Sequence, residues 1–168
     1  IIDSDDQTMI SKYGSTPRLQ YGFGGTVNYK KFDLGIFFSG SALRSIMTNG
    51  IDPFQEGIAV GNRNVLKYIA DNYWSEEKQN WDATYPRLGL LATDVANNTV
   101  NSSYWLRNGS FLRLKNVEIG YKIPYGRIFV SAANLFTFSP FDLWDPELSS
   151  WNSYPMQKTV NVGIQLQF

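Results

Sequence analysis

Residues 18–40 read RLQYGFGGTVNYKKFDLGIFFSG, and this stretch decides the fold class. Apolar or aromatic residues recur at alternate positions from Leu19 to Tyr29 and again from Phe32 to Phe38, and only Phe37 breaks the second pattern. A period of two is the pattern of a β-strand with two unlike faces. The intervening lysines allow a tight turn, so the stretch predicts two antiparallel strands, near 18–29 and 31–40.

The same test predicts three further strands, near 104–123, 126–138 and 154–168. Residues 160–168 alternate without a fault and end on Phe168. In 104–123 the alternation changes phase near Lys115 and Asn116, which predicts a β-bulge. Residues 126–138 are apolar on both faces, so the pattern does not fix the orientation of that strand.

The connections alternate between short and long. The first pair of strands and the second pair each meet in a tight turn, whereas residues 41–103 and 139–153 form long connections at the other end. Short turns at one end and long loops at the other are typical of an outer-membrane barrel. Five strands are too few to close a barrel, which needs about eight. Other strands must therefore complete the barrel, either because the chain is the C-terminal piece of a longer protein or because several chains assemble. Residues 1–16 would then end an extracellular loop. Within the long connection, the apolar spacing of residues 64–73 predicts a short helix.

The composition excludes several classes of function. The 168 residues correspond to one domain, and 15 basic against 15 acidic residues argue against nucleic-acid binding. The chain has no Cys and no His, which excludes disulfides, thiol catalysis, His-based triads and Cys or His metal sites. Residues 3–6 resemble the start of a calcium loop but lack its glycine and glutamate. The sequence predicts no cofactor and no metal.

Residues 105–117, WLRNGSFLRLKNV, resemble the strand signature near the C-terminus of SusC/RagA-type TonB-dependent transporters. Gly120, Tyr121 and Pro124 follow at the family's spacing. Further matches lie at 16–18, 85–88, 130–137 and 145–147. The resemblance extends over about residues 3–168.

The resemblance implies that residues 1–168 are the C-terminal segment of a TonB-dependent β-barrel domain. They would be the last five antiparallel strands of an all-β, 22-stranded transmembrane barrel with long extracellular loops, in the outer membrane of a Gram-negative bacterium of the Bacteroidota. The implied function is import of oligosaccharides or peptides, without enzymatic activity. The implied partners are the remaining strands and plug of the same transporter, outer-membrane lipid, a SusD-like surface lipoprotein, and the TonB complex through an N-terminal part that this chain lacks.

Two other functions stay open from the residues alone. A soluble carbohydrate-binding β-sandwich would pack the apolar strand faces against a second sheet. An outer-membrane enzyme is weakened by the absence of His.

Three groups of residues are candidates for function. The candidates for the lumen and for solute contact are Arg107, Asn108, Arg113 and Lys115, although we favour a structural charge network with Glu118, Asp33 or plug carboxylates. The candidates for partner or solute contact in the extracellular loop are Trp74, Trp81 and Tyr85, which would alternatively pack the loop itself. Phe168 resembles the C-terminal aromatic that barrel-assembly machinery reads, because an open edge strand must be captured before the barrel closes.

Overall fold

A computed structural model of the chain describes residues 8–51, 65–148, 150 and 152–167. The chain divides into two compact units, one of residues 1–10 and 47–107 and the other of residues 11–46 and 108–168. The predictions made for Phe168, for residues 3–6 and for Asn64 fall outside the described residues.

The second unit is built on a five-stranded antiparallel sheet. The strands of the described chain are β1 (Leu19–Tyr29), β2 (Phe32–Ala42), β3 (Ser45–Met47), β4 (Leu106–Asn108), β5 (Phe111–Ile123), β6 (Gly126–Phe138) and β7 (Thr159–Leu166). The large sheet has the order β1-β2-β5-β6-β7, and every neighbouring pair is antiparallel. The five predicted strands and their consecutive pairing are therefore confirmed.

Two predicted strand boundaries are wrong. The predicted strand 104–123 is split, because Leu106–Asn108 pairs with β3 in a separate two-stranded sheet and β5 begins only at Phe111. The side-chain oxygen of Asn108 accepts the Ser110 backbone N–H at 3.0 Å, which turns the chain between β4 and β5. The last strand begins at Thr159 rather than near 154. Pro155 lacks the backbone N–H that a strand ladder uses.

Local backbone geometry explains the turns and the change of phase. Lys30 takes a positive φ of 54°, as the tight primed turns of hairpins require. In β5, Leu114 lies opposite Phe38 and Asn116 opposite Phe37, so Lys115 is the extra residue of a β-bulge. The predicted bulge is confirmed.

The strand register brings most of the apolar residues of the five strands onto one face, which we call the apolar face. Its exposed members are Phe23, Val27, Tyr29, Phe32, Leu34, Ile36, Ile119, Tyr121, Ile128, Val130, Phe136, Phe138, Val160, Val162, Ile164 and Leu166. The register also settles the orientation of β6, because Val130 pairs with Ile119 on one side and Val162 on the other. No second sheet covers this face within the described residues, which counts against a β-sandwich.

The first unit holds the helices and a small core of its own. It contains α1 (Lys67–Asn72), which confirms the predicted short helix, as well as α2 (Ala92–Val95) and two 3-10 turns, Ala96–Thr99 and Ser103–Trp105. The core is formed by Ile51, Ile69, Tyr85, Val95 and Trp105. Across the described residues, none of the helices has the length and apolar character needed to cross a membrane.

Candidate functional site: the polar face of the sheet

The side of the sheet opposite the apolar face, which we call the polar face, carries the charged and small residues of the same five strands. Its members include Gly22, Gly24, Thr26, Asp33, Gly35, Phe37, Arg113, Asn116, Glu118, Gly120, Arg127, Phe129, Ser131, Asn161 and Gly163. Two clusters of ion pairs lie on this face, with small neutral residues between them.

The first cluster joins three strands through one arginine. Arg127 in β6 donates from Nε to Asp33 Oδ1 at 3.0 Å, and its Nη2 bonds the second oxygen of the same carboxylate. The same Nη2 donates to Glu118 Oε1 at 2.7 Å. A guanidinium fork that holds a carboxylate through two bonds has a fixed geometry, so Arg127 ties β2, β5 and β6 together.

Gly120 gives Arg127 its path across β5. A Cβ atom at this position would overlap the guanidinium of Arg127, and Gly120 lies directly opposite Asp33. The glycine and the ion pairs thus form one structural device. Asp33 and Glu118 therefore bind Arg127 and not the predicted partners Arg107, Arg113 and Lys115.

The second cluster links β5 to the connection between β6 and β7. Arg113 is 1% exposed and its Nη2 bonds Asp145 Oδ1. Its Nε lies 3.6 Å from Glu147 Oε2, and Lys115 Nζ lies 3.5 Å from the same oxygen. Because a buried arginine needs a counter-charge, the two carboxylates fix this connection over the end of β5.

Arg44 holds the same connection through backbone carbonyls. It donates to Pro146 O at 2.5 Å and Leu148 O at 3.4 Å, and its Nε donates to Ser15 O at 2.8 Å. Burial lowers the pKa of Arg44, although the guanidinium stays charged. Residues 145–148 are therefore held by Arg113 through carboxylates and by Arg44 through carbonyls.

The four predicted lumen candidates do not form one cluster. Arg113 and Lys115 meet at Glu147, whereas Arg107 donates to the carbonyls of Tyr104 and Leu106 in its own neighbourhood. Asn108 is exposed and bonds Ser110. Their role in solute contact stays a prediction.

The three loop aromatics lie in very different environments. Trp81 is 85% exposed, and its ring centroid lies 6.4 Å from that of Trp74. Tyr85 is 3% exposed and packs edge-on against Tyr68, with centroids 5.8 Å apart. Tyr85 therefore supports the loop, and Trp81 is the ring that is open to a partner or solute.

Sequence reasoning missed Arg127 as a member of the site and missed the partners of Arg113. A signal existed for the partners, because Asp145 and Glu147 lie in one of the matching motifs, at residues 145–147. The break in the alternation at Phe37 is a second sequence signal for the polar face, because it places an aromatic ring there.

Comparisons with known proteins point to one group of transporters. No family model matches the chain. TonB-dependent receptor P3 of Formosa agariphila is 28% identical over 159 residues, which cover 89% of this chain and 15% of the receptor. TonB-dependent receptor SusC of Bacteroides thetaiotaomicron is 28% identical over 182 residues, which cover 99% of this chain and 16% of SusC.

The solved structure of the RagAB peptide transporter matches the whole chain with a TM-score of 0.72 and 26% identity, over 19% of the transporter chain. The chain is related to the SusC/RagA-type TonB-dependent transporters. The resemblance that residues 105–117 carry is thereby confirmed. The chain spans 15% to 16% of the length of these curated relatives.

Proposed function

We propose that the chain is part of the wall of an outer-membrane β-barrel that imports nutrients in a Gram-negative bacterium. In this proposal the apolar face contacts lipid and the polar face lines the lumen of a 22-stranded barrel. The chain contributes no catalytic centre, and its relatives are named as receptors and transporters.

The exposed apolar face is the observation that carries the proposal. It extends across all five strands, and Val162 in β7 is 74% exposed. A contiguous apolar surface of this kind marks an interaction site, because soluble monomers rarely leave one open to water. A polar opposite face on the same strands is the alternation of a membrane barrel.

The strand lengths and the aromatic residues agree with a bilayer. β1 has 11 residues, which at about 3.3 Å per residue span ~36 Å along the strand. A tilt of about 40° reduces this to ~28 Å, close to the apolar band of outer-membrane barrels.

Exposed Tyr29 and Tyr125 lie at the end with tight turns, and exposed Phe136, Phe138 and Tyr154 lie toward the other end. Aromatic residues at both ends are expected at the two membrane interfaces.

The partners follow from the same placement. The open edges of β1 and β7 would pair with the remaining strands, and the polar face would meet the plug or the solute. The segment 41–103 would contribute to contact with a SusD-like lipoprotein, with Trp81 as its exposed ring. The solute would be an oligosaccharide or a peptide, and coupling to TonB would use a part of the protein outside this chain. Phe168 stays proposed as the assembly signal.

A spin-label scan of β7 tests the membrane placement. Single substitutions Val160→Cys, Val162→Cys and Ile164→Cys in the full-length protein should give labels that are accessible to dissolved oxygen in the bilayer. Asn161→Cys and Gln165→Cys should give labels that are accessible to a water-soluble nickel reagent. Equal water accessibility at all five positions would reject the proposal.

A genetic experiment tests import. Deletion of the gene should abolish growth on at least one oligosaccharide or peptide source and leave growth on free monosaccharides and amino acids unchanged. Restoration of the gene should restore growth. Unchanged growth on every source of both kinds would overturn the nutrient-import function.

A further inference from the structure

Phe37 is an aromatic ring on the wrong face of its strand. It lies opposite Gly24 in β1 and opposite Asn116 in β5, both on the polar face. Phe37 is 42% exposed, although burial of a phenylalanine side chain away from water is energetically favourable. The ring therefore needs an explanation that the alternation of β2 does not supply.

Two glycines of the neighbouring strand form the seat of this ring. Cβ atoms at Gly22 and at Gly24 would each lie 3.0 Å from ring carbons of Phe37, Cζ and Cδ2 respectively. The ring thus lies against bare backbone, and side chains at these two positions would displace it. An aromatic ring laid over a strand glycine stabilises a sheet, which accounts for the covered side of Phe37 but not for its exposed side.

A second aromatic ring on the polar face provides an internal comparison. Phe129 lies over Gly163 of β7 in the same way, because a Cβ atom at Gly163 would overlap the Phe129 ring. The guanidinium of Arg127 lies 5.3 Å from the Phe129 ring centroid. Phe129 thus shares the glycine seat of Phe37 but has an arginine as its neighbour.

The surface around Phe37 is a shallow concavity of about 800 Å³ on the polar face. Its floor contains glycines, and its polar side chains are those of Thr26, Asn116, Glu118, Ser131 and Asn161. Asn116 and Asn161 are exposed. Glu118, the one charged residue in this lining, already accepts a hydrogen bond from Arg127. The concavity therefore offers neutral hydrogen-bonding groups beside an open aromatic ring.

We propose that this concavity is a binding subsite for one ring of a neutral saccharide. The apolar C–H face of the sugar would stack on Phe37, and its hydroxyls would bond the amide and hydroxyl side chains around it. The lining holds no basic side chain that could bind the terminal carboxylate of a peptide, and its one acidic residue, Glu118, is already bonded to Arg127. This favours a neutral sugar over a peptide with charged termini. The inference rests on the proposed import function, because it needs the polar face to meet solute. A transport path requires a weak site, so that the solute can leave again.

The test compares the two glycine-seated rings in the full-length transporter. The probes are maltoheptaose, laminarihexaose and a fructo-oligosaccharide, titrated against the purified protein in nanodiscs. Phe37→Leu keeps an apolar side chain over Gly22 and Gly24 but removes the stacking surface, and should weaken binding of the bound saccharide about 3- to 10-fold. Phe37→Trp should retain the affinity. Phe129→Leu is the matched control and should change the affinity less than about 2-fold, because Phe129 does not line the concavity.

A second pair of variants decides the matter if Phe37→Leu does not fold. Asn116→Ala removes an exposed amide inside the concavity, and Asn28→Ala removes one on the same face outside it. Only the first should weaken binding. Equal effects within either pair, or no binding of any probe by the wild-type protein, would overturn the inference.

The outcomes also separate this inference from the import function. Growth that depends on the gene, together with an unchanged affinity in Phe37→Leu, would reject the subsite and leave import intact. Phe37-dependent binding of a neutral peptide, but of no saccharide, would reject the assigned solute class.

Discussion

Replacement of Val162 by arginine tests the assignment of the two sheet faces most directly. Val162 lies in the middle of β7, pairs with Val130 of β6 and is 74% exposed on the apolar face. If that face contacts lipid, the arginine must enter the hydrocarbon region. A lipid-facing arginine near the bilayer midplane costs about 2–4 kcal/mol. At 1.4 kcal/mol per tenfold change, the folding equilibrium constant should fall about 30- to 700-fold.

Asn161→Arg is the matched control at the same depth. Asn161 is the preceding residue of β7, lies on the polar face and pairs with the neutral Ser131. An exposed polar substitution of this kind should change the free energy of unfolding by less than about 0.5 kcal/mol. Gln165 is a poorer control, because it lies opposite Arg127 and a second guanidinium there would repel the first.

The assay is the fraction of folded barrel in the full-length protein. Folded barrels resist proteases and migrate differently from heat-denatured samples in a detergent gel, so both variants can be followed through a urea titration. Val162→Arg should lower the urea midpoint or abolish assembly, and Asn161→Arg should not. Equal losses would refute the assignment of faces, and a greater loss in Asn161→Arg would show that the faces are reversed.

Three further substitutions probe the clusters and the loop. Gly120→Ala should displace Arg127 from Asp33 and lower the melting temperature by several degrees. Gly35→Ala should change the melting temperature little, because the added Cβ would lie 3.7 Å from the Thr26 side chain. Similar melting temperatures for the two variants would contradict the path of Arg127 across Gly120. Arg113→Ala removes the buried charge that pairs with Asp145 and should cost about 3 kcal/mol in chemical denaturation. Arg87→Ala, in the exposed pair with Glu76, should cost less than about 1 kcal/mol, and comparable costs would contradict a stabilising role for the buried ion pair. Trp81→Ala should leave the melting temperature unchanged and weaken pull-down of the lipoprotein partner, while Tyr85→Ala should lower the melting temperature; an unaltered pull-down with Trp81→Ala would show that the ring makes no contact.

The strands and their faces were predictable because a period of two is a local property of the chain. Each of the five strands carries its own alternation or its own apolar run, and the phase change at Lys115 and Asn116 marks the bulge without knowledge of its neighbours. The two tight turns are likewise local, since both are short connections. The boundary near 104 was not predictable in this way, because Leu106–Asn108 continues the pattern of β5 but pairs with β3.

The sequence by itself thus determined an antiparallel sheet with one apolar and one polar face, and the family to which its motifs point. Only the tertiary structure decided which charges meet. Asp33 and Arg127 are 94 residues apart along the chain, and no local pattern relates them. They are brought together by the register of β2, β5 and β6 and by the space that Gly120 leaves. The orientation of β6 and the glycine seat of Phe37 have the same origin, because each depends on what a neighbouring strand places alongside.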